Sequence, residues 1–193
     1  RYGDLVPCRT AFIDAHTPGS DRKENFTIIG GGVSESADQH VHIADTPGFN
    51  IGAAGQPPKC RNSLHAHRTA EVFFVLSGRW RFFWGAKGDD GEVVLEEGDV
   101  INIPTGIFRG FENIGTDYGM IMAVLGGDDS GGGVVWAPQV IEDARDPLKQ
   151  ARGGGERNLA RPQPHHARAT LTPHATPSPS PSPSPSPSPS PSP

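Results

Sequence analysis

The chain has 193 residues, of which 34% are hydrophobic, and a formal net charge of -5 at pH 7. This acidic balance disfavours a nucleic-acid-binding protein, because such proteins normally carry clustered basic residues. No apolar run is long enough to cross a bilayer and no signal peptide opens the chain, so we expect a cytoplasmic protein without a membrane partner. Two cysteines outside any C-x-x-C arrangement disfavour a disulfide framework.

Residues 1–38 mix proline, glycine and charged side chains, which predicts a loop-rich N-terminal arm. Further along, short segments rich in valine, isoleucine and aromatic residues alternate with glycine and proline turns. This pattern is typical of an all-β sandwich or closed barrel. The predicted strands are residues 39–44, 49–53, 71–76, 79–84, 92–95, 100–103, 108–113 and 118–125.

A short C-terminal helix is predicted at residues 139–150, since Pro138 and acidic residues lie near its start. Residues 39–150 would then form one barrel domain. The composition of residues 151–193 differs, and the chain ends in a Pro-Ser repeat from Pro177 to Pro193. Such a repeat has no apolar surface to bury and lacks a backbone donor at every second residue, which predicts a disordered tail.

The residues with the most specific chemistry are His65, His67 and Glu71. Alternate side chains of a β-strand face the same side, so the H-x-H pair would place both imidazoles together. A carboxylate four residues later can complete a two-histidine, one-carboxylate site of the kind that holds non-haem iron. Two histidines on a strand are also often only hydrogen-bonded, but the carboxylate at this offset favours a metal site.

Two spaced motifs run through this region. The first, H-x-H-x3-E-x6-G, comprises His65, His67, Glu71 and Gly78, and the second, G-x5-P-x-G-x6-N, comprises Gly98, Pro104, Gly106 and Asn113. In both motifs the chain resembles the cupin superfamily. The resemblance implies a double-stranded β-helix, the cupin jelly-roll barrel, with the site inside the barrel mouth. It also implies a homodimer formed by exchange of terminal strands.

The chain departs from the cupin pattern at two positions, with Lys59 in place of the first motif's opening glycine and Arg109 in place of the second motif's histidine. That histidine is usually a fourth metal ligand in metal-binding cupins. A guanidinium has no lone pair to donate and stays charged, so it cannot replace a ligand and would repel a divalent cation. Arg109 would either clamp an anionic substrate as a catalytic residue or turn outward towards Glu112.

Further substrate contacts are predicted around the barrel mouth. An early strand carries the alternating pair His40 and His42, which could supply a spare ligand or line the pocket, although His42 could equally face solvent. Aromatic side chains near the motifs could either fill the barrel or face a ligand. The predicted substrate-binding residues are His42, Phe49, Phe108 and Arg109.

Three functions fit these features. The first is a mononuclear metal enzyme, an iron(II) dioxygenase acting on a small carboxylate, phenolic or diketone substrate, with manganese, nickel, copper or zinc as other metals. The second is a metal-free isomerase, epimerase or lyase with a histidine as general base. The third is a non-catalytic module that binds or senses a small molecule. We favour the first, because a carboxylate at this offset from H-x-H has no obvious use in the others.

Overall fold

The structure is a computed structural model that describes residues 1–46, 48–127 and 133–153, with side chains described as far as residue 145. The strands are β1 (Glu24–Ile29), β2 (Val41–Ile43), β3 (Phe49–Gln56), β4 (Arg61–Ala66), β5 (Glu71–Ser77), β6 (Arg79–Trp84), β7 (Gly91–Glu96), β8 (Val100–Ile103), β9 (Arg109–Asn113), β10 (Gly119–Gly126) and β11 (Val135–Trp136). One helix, α1 (Pro138–Gly153), follows them. The predicted disordered tail, apart from the end of α1, lies outside the described residues.

The strands form two sheets. A six-stranded sheet has the order β2-β1-β3-β10-β5-β8, and a five-stranded sheet has the order β11-β4-β9-β6-β7. This arrangement confirms the predicted all-β jelly roll with a short C-terminal helix. None of the described helices is both long and apolar enough to span a membrane.

The eight predicted strands all have counterparts, whereas three of the eleven described strands, β1, β4 and β11, have none among those eight segments. At β4, only the argument from the H-x-H pair assumed a strand. β1 lies inside the predicted loop-rich arm, where it pairs with β2 on one side and β3 on the other. Its pairing partners lie elsewhere in the chain, so local composition gave no signal for them. The predicted domain boundaries at residues 38 and 150 stay predictions.

Gly78 turns the chain from one sheet to the other. It lies between β5 and β6, which belong to different sheets, and has a φ of 90°. A side chain here would strain the left-handed backbone and would bring a Cβ to 2.9 Å from the Cα of Gly119. The predicted turn at this glycine is therefore a corner of the barrel.

The space between the sheets is filled by large apolar side chains from both. Phe111 of β9 lies at the centre, with its ring centroid 5.3 Å from that of Phe73, 5.5 Å from that of Phe82 and 6.0 Å from that of Trp80. Such aromatic pairs add about 0.5–1.5 kcal/mol each beyond the area they bury. Three members of this cluster, Ala54, Phe73 and Phe111, also line the cavity of the candidate site. The cluster consists of Ala54, Phe73, Val75, Trp80, Phe82, Ile103, Phe111 and Ile121.

Candidate functional site

Both histidines of the H-x-H pair are buried in the barrel. His65 lies in β4 and His67 lies just beyond its end. Their ring centroids are 5.2 Å apart, and both side chains line one cavity, as the strand periodicity predicts.

Hydrogen bonds to backbone carbonyls set the tautomer of each imidazole. Nδ1 of His65 donates to Ser63 O at 2.7 Å, and Nδ1 of His67 donates to Gly133 O at 3.1 Å. Because a carbonyl oxygen can only accept, Nε2 of each ring keeps its lone pair. Burial, and then the charge of Arg109, lowers the pKa of His67 to about 4 and that of His65 well below its usual range. Both imidazoles are therefore neutral at pH 7.

Arg109 points into the barrel rather than outward. It opens β9 opposite His65, and its Nη1 donates to His65 O at 2.9 Å. Its Nη2 donates to Oε2 of Glu71 in a buried ion pair. Glu112, its predicted outward partner, instead accepts from Arg81 at 2.8 Å.

Glu71 therefore faces two different groups. Its Oε2 contacts the guanidinium of Arg109, and its Oε1 lies 3.7 Å from Nε2 of His67. Burial raises the pKa of Glu71, while the charge and the hydrogen bond of Arg109 act to lower it. The guanidinium thus supplies, inside the protein, the positive charge that compensates this carboxylate.

A second buried ion pair, in the N-terminal arm, contacts the backbone of β4. Lys23 and Asp14 are both fully buried and paired with each other, and burial lowers the pKa of Lys23 although Asp14 opposes that shift. Oδ2 of Asp14 accepts from Ser63 N at 2.9 Å, and Ser63 O in turn accepts from His65. The arm thereby helps to hold the His65 ring, a role that sequence reasoning missed because the partners lie 49 residues apart.

The cavity beside the histidines has a volume of about 70 Å³. Most of its wall is apolar, including side chains from the core cluster, and Phe12, Val33 and Ser34 from the arm line it as well. Asn25 of β1 also lines it, and the Nδ2 of this residue is buried without a hydrogen-bond partner. A buried donor without an acceptor lowers the stability of the fold by about 1–3 kcal/mol. Such a donor is therefore a candidate for binding a ligand.

Arg109 does not line this cavity. Both of its terminal nitrogens are bonded to protein acceptors, and its side chain borders a separate cavity of about 250 Å³ near Trp84 and Ile107. Its Nε is also buried, without a hydrogen-bond partner among the described residues. The predicted role of Arg109 as a clamp for an anionic substrate stays a prediction.

The other predicted substrate-binding residues lie away from the histidine cavity. His42, on β2, donates from Nδ1 to Thr27 O at 2.7 Å and accepts from Val6 N at 3.0 Å. Phe108 packs with Trp136 in a separate apolar cluster, and Phe49 opens β3 without lining the cavity. The substrate contacts predicted for these three residues stay predictions.

The donor atoms around the histidines differ from those of the metal site that the sequence predicts. Among the residues that the structure describes, no three His, Cys, Asp or Glu side chains are arranged to hold a metal ion. One oxygen of Glu71 is taken by Arg109, and the guanidinium lies where a divalent cation would be repelled. The present arrangement of His65, His67 and Glu71 therefore does not fit a resident metal.

Comparison with known families identifies the barrel. The family model of the cupin domain matches residues 55–125, which contain both histidines, Glu71 and Arg109. These residues form a cupin domain. The resemblance carried by the two motifs is thereby confirmed.

Solved structures share the cupin fold at low sequence identity. A structure from work on the DMSP lyases RdDddP and RnDddQII is 18% identical, with a TM-score of 0.53, over 68% of this chain and 62% of that one. The DMSP lyase DddQ from Ruegeria pomeroyi DSS-3 is 16% identical, with a TM-score of 0.52, over 69% of this chain and 61% of that one. The chain thus spans about three fifths of these two structures. No curated protein matches the sequence.

Proposed function

We propose that the cupin domain is a metal-free enzyme of the isomerase, epimerase or lyase type, in which His67 accepts a proton from a small substrate. The observation that carries this proposal is the buried Glu71–Arg109 ion pair, which uses the carboxylate of the metal motif. Beside that pair, two neutral imidazoles line a small, mostly apolar cavity. Neutral imidazole is a common general base in enzymes.

The basicity of His67 limits the substrate. With a pKa of about 4, this imidazole is a weak base at neutral pH. A proton on carbon is far less acidic than the imidazolium of this residue, so the transfer needs a carbonyl group beside that carbon and a site that stabilises the enolate formed. The substrate class that fits is therefore a small carbonyl compound whose carbon–hydrogen bond is acidified.

Arg109 and Glu71 act through His67 in this proposal. Oε1 of Glu71, 3.7 Å from Nε2 of His67, can stabilise the imidazolium that forms when the ring takes a proton. Arg109 holds Glu71 in place and disfavours a charged imidazole before substrate arrives. Both are positioning residues.

A second candidate is the metal-dependent enzyme that the motif predicts, with iron(II) and dioxygenase chemistry. One observation favours it: both Nδ1 atoms are bonded to carbonyls, which leaves Nε2 of both rings as the nitrogen that a metal would use. Glu71 would first have to turn away from Arg109; His65, His67 and Glu71 would then hold the ion, and the ion would supply open positions for substrate and dioxygen.

Metal content separates the two candidates. The full chain is made without a histidine tag and with His165, His166 and His174 changed to alanine, incubated anaerobically with iron(II), desalted and measured by mass spectrometry. We expect much less than one metal ion per chain, and about one in Arg109→His, which restores the histidine of the second motif. Near-stoichiometric metal in the arginine form that disappears in His67→Ala would instead establish the metal enzyme.

Activity is tested separately. Small carbonyl compounds are incubated with the protein in D2O and chelator, and proton magnetic resonance follows exchange of the protons beside the carbonyl. We expect exchange that falls at least a hundredfold in His67→Gln, within the range that general-base catalysis contributes. Ligand binding without exchange would favour the non-catalytic module.

A further inference from the structure

Asn25 faces the inside of the barrel. Its Cα is paired with that of Ala54, which belongs to the core cluster between the sheets. Directly opposite residues in a pair of strands place their side chains on the same face. The Asn25 backbone is also tied to Cys8, through Cys8 N to Asn25 O at 2.8 Å and Asn25 N to Cys8 O at 3.1 Å. The amide group is thus carried by a fixed strand and not by a loose loop.

The Asn25 side chain has an unused donor. Its Nδ2 is buried and has no hydrogen-bond partner within the part of the chain that the structure describes, although buried polar groups in folded proteins are nearly always paired. The residue lines the cavity that also contains His65, His67 and Glu71. A ligand in this cavity would therefore share it with the unused donor and with both histidines.

We infer that Nδ2 of Asn25 donates a hydrogen bond to the carbonyl oxygen of a small uncharged ligand, which makes Asn25 a substrate-binding residue of this site. The inference rests on the proposed function and names its substrate class. An amide NH₂ donates only, so the ligand atom that it binds must be an acceptor.

The size and charge of the cavity narrow the ligand further. A cavity of about 150 Å³ holds benzene, whereas this one measures about 70 Å³, which limits the ligand to a few non-hydrogen atoms. The charges of Glu71 and Arg109 compensate each other. A cavity without unpaired charge favours an uncharged carbonyl compound over a carboxylate.

The same hydrogen bond would assist proton transfer. When the carbon–hydrogen bond beside the carbonyl breaks, the proton passes to Nε2 of His67 and the electron pair moves onto the carbonyl oxygen, forming an enolate. The amide of Asn25 then faces a more negative oxygen and binds it more strongly than it binds the ketone. Nε2 then gives this proton to solvent and takes up a deuteron from D2O, and transfer of the deuteron to carbon with return of the electron pair from oxygen completes the exchange without any oxidant or reductant.

The test uses the full chain and hydroxyacetone labelled with ¹³C at the carbonyl. Binding is followed by the shift of the carbonyl resonance, and exchange in D2O by loss of the proton signals beside the carbonyl. Asn25→Leu removes the donor while keeping a similar shape. We expect this variant to keep or raise its melting temperature, because replacing an unpaired polar group relieves its desolvation. Its affinity for hydroxyacetone should fall about tenfold. Its exchange rate should fall by a larger factor than its affinity, because the lost hydrogen bond is stronger to the enolate than to the ketone.

Asn102→Leu is the matched control, since Asn102 is an exposed asparagine of β8 that does not line the histidine cavity. It should bind and exchange like the wild type. Equal affinity in wild type and Asn25→Leu, or no binding of hydroxyacetone by the wild type, overturns the inference. Exchange that depends on His67 but not on Asn25 would support the proposed function and contradict the role of Asn25. Binding that depends on Asn25 without exchange would support the inference and contradict the enzyme.

Discussion

Individual buried side chains set the chemistry of the barrel interior. Four buried side chains surround the candidate site: His65, His67, Glu71 and Arg109. The negative charge of Glu71 is paired with the positive charge of Arg109. Replacing only one member of such a pair leaves an uncompensated charge, which typically costs 3–5 kcal/mol. Arg109 is thus part of the fold as well as of the site.

The two histidines should make the protein sensitive to acid. Their pKa values are lowered in the folded state, whereas in the unfolded chain each would titrate near 6.5. As the pH falls from 6.5 towards 4, the unfolded state binds protons that the folded state does not. The stability that is present above pH 6.5 is therefore lost on acidification, by up to about 1.4 kcal/mol per pH unit for each histidine.

Urea unfolding at pH 7.5, 6.0 and 5.0 in chelator checks this expectation. His67→Gln should lose less stability than the wild type between pH 7.5 and 5.0, because one of the two residues no longer titrates. His16→Gln, at an exposed position, is the control and should follow the wild type. An identical pH dependence in wild type and His67→Gln would contradict the lowered pKa.

At the scale of elements, the arm is part of the barrel wall. β1 pairs with β3, and Phe12 and Val33 on either side of it line the histidine cavity. The carboxylate of Glu35 joins this arm to β11, since Oε2 accepts from Ile13 N and Oε1 accepts from Trp136 Nε1, both at 2.9 Å. The Trp136 ring in turn lies 5.4 Å from that of His65.

Glu35→Ala should weaken the attachment of the N-terminal arm to β11 without unfolding the barrel. Glu35 is exposed, so the loss in overall stability should be about 1 kcal/mol. Hydrogen exchange measured by mass spectrometry should nevertheless become faster in residues 11–35 while β5 and β10 stay protected. Glu97→Ala, at another exposed glutamate, should change neither. Unaltered exchange in the arm of Glu35→Ala would show that Glu35 does not hold it.

At the scale of the whole molecule, one face of the six-stranded sheet is apolar and exposed. Phe74 of β5 is paired with Val100 of β8, and Leu76 follows on the same side of β5. The three side chains are 36%, 52% and 44% exposed, respectively. We propose that a second copy of the chain covers this face, in agreement with the homodimer that the cupin resemblance implies.

Light scattering coupled to size exclusion tests the dimer. The wild type should have twice the chain mass of 20.5 kDa, and Leu76→Glu combined with Val100→Glu should have the mass of one chain. Val94→Glu, at an exposed position of β7 in the other sheet, is the matched control and should leave the mass unchanged. A wild type of 20.5 kDa at micromolar concentration would rule out this dimer.

Local pattern alone determined much of the architecture. The side-chain alternation and the turn residues in positions 39–125 predict eight of the eleven described strands, with members in both sheets, since side-chain period and turn chemistry act over a few residues. The H-x-H spacing placed His65 and His67 on one side for the same reason. Pro138 marks the start of α1 because proline suits the first turn of a helix.

Tertiary structure alone decided what the site contains. Glu71 and Arg109 are 38 residues apart in the chain, and only the joining of β4, β5 and β9 in space brings the guanidinium to the carboxylate. Asn25 has no motif around it, and its role depends on the register of β1 against β3. Spacing specifies which side chains can share a face, whereas contacts between distant strands decide which charges are compensated and which donors stay unpaired.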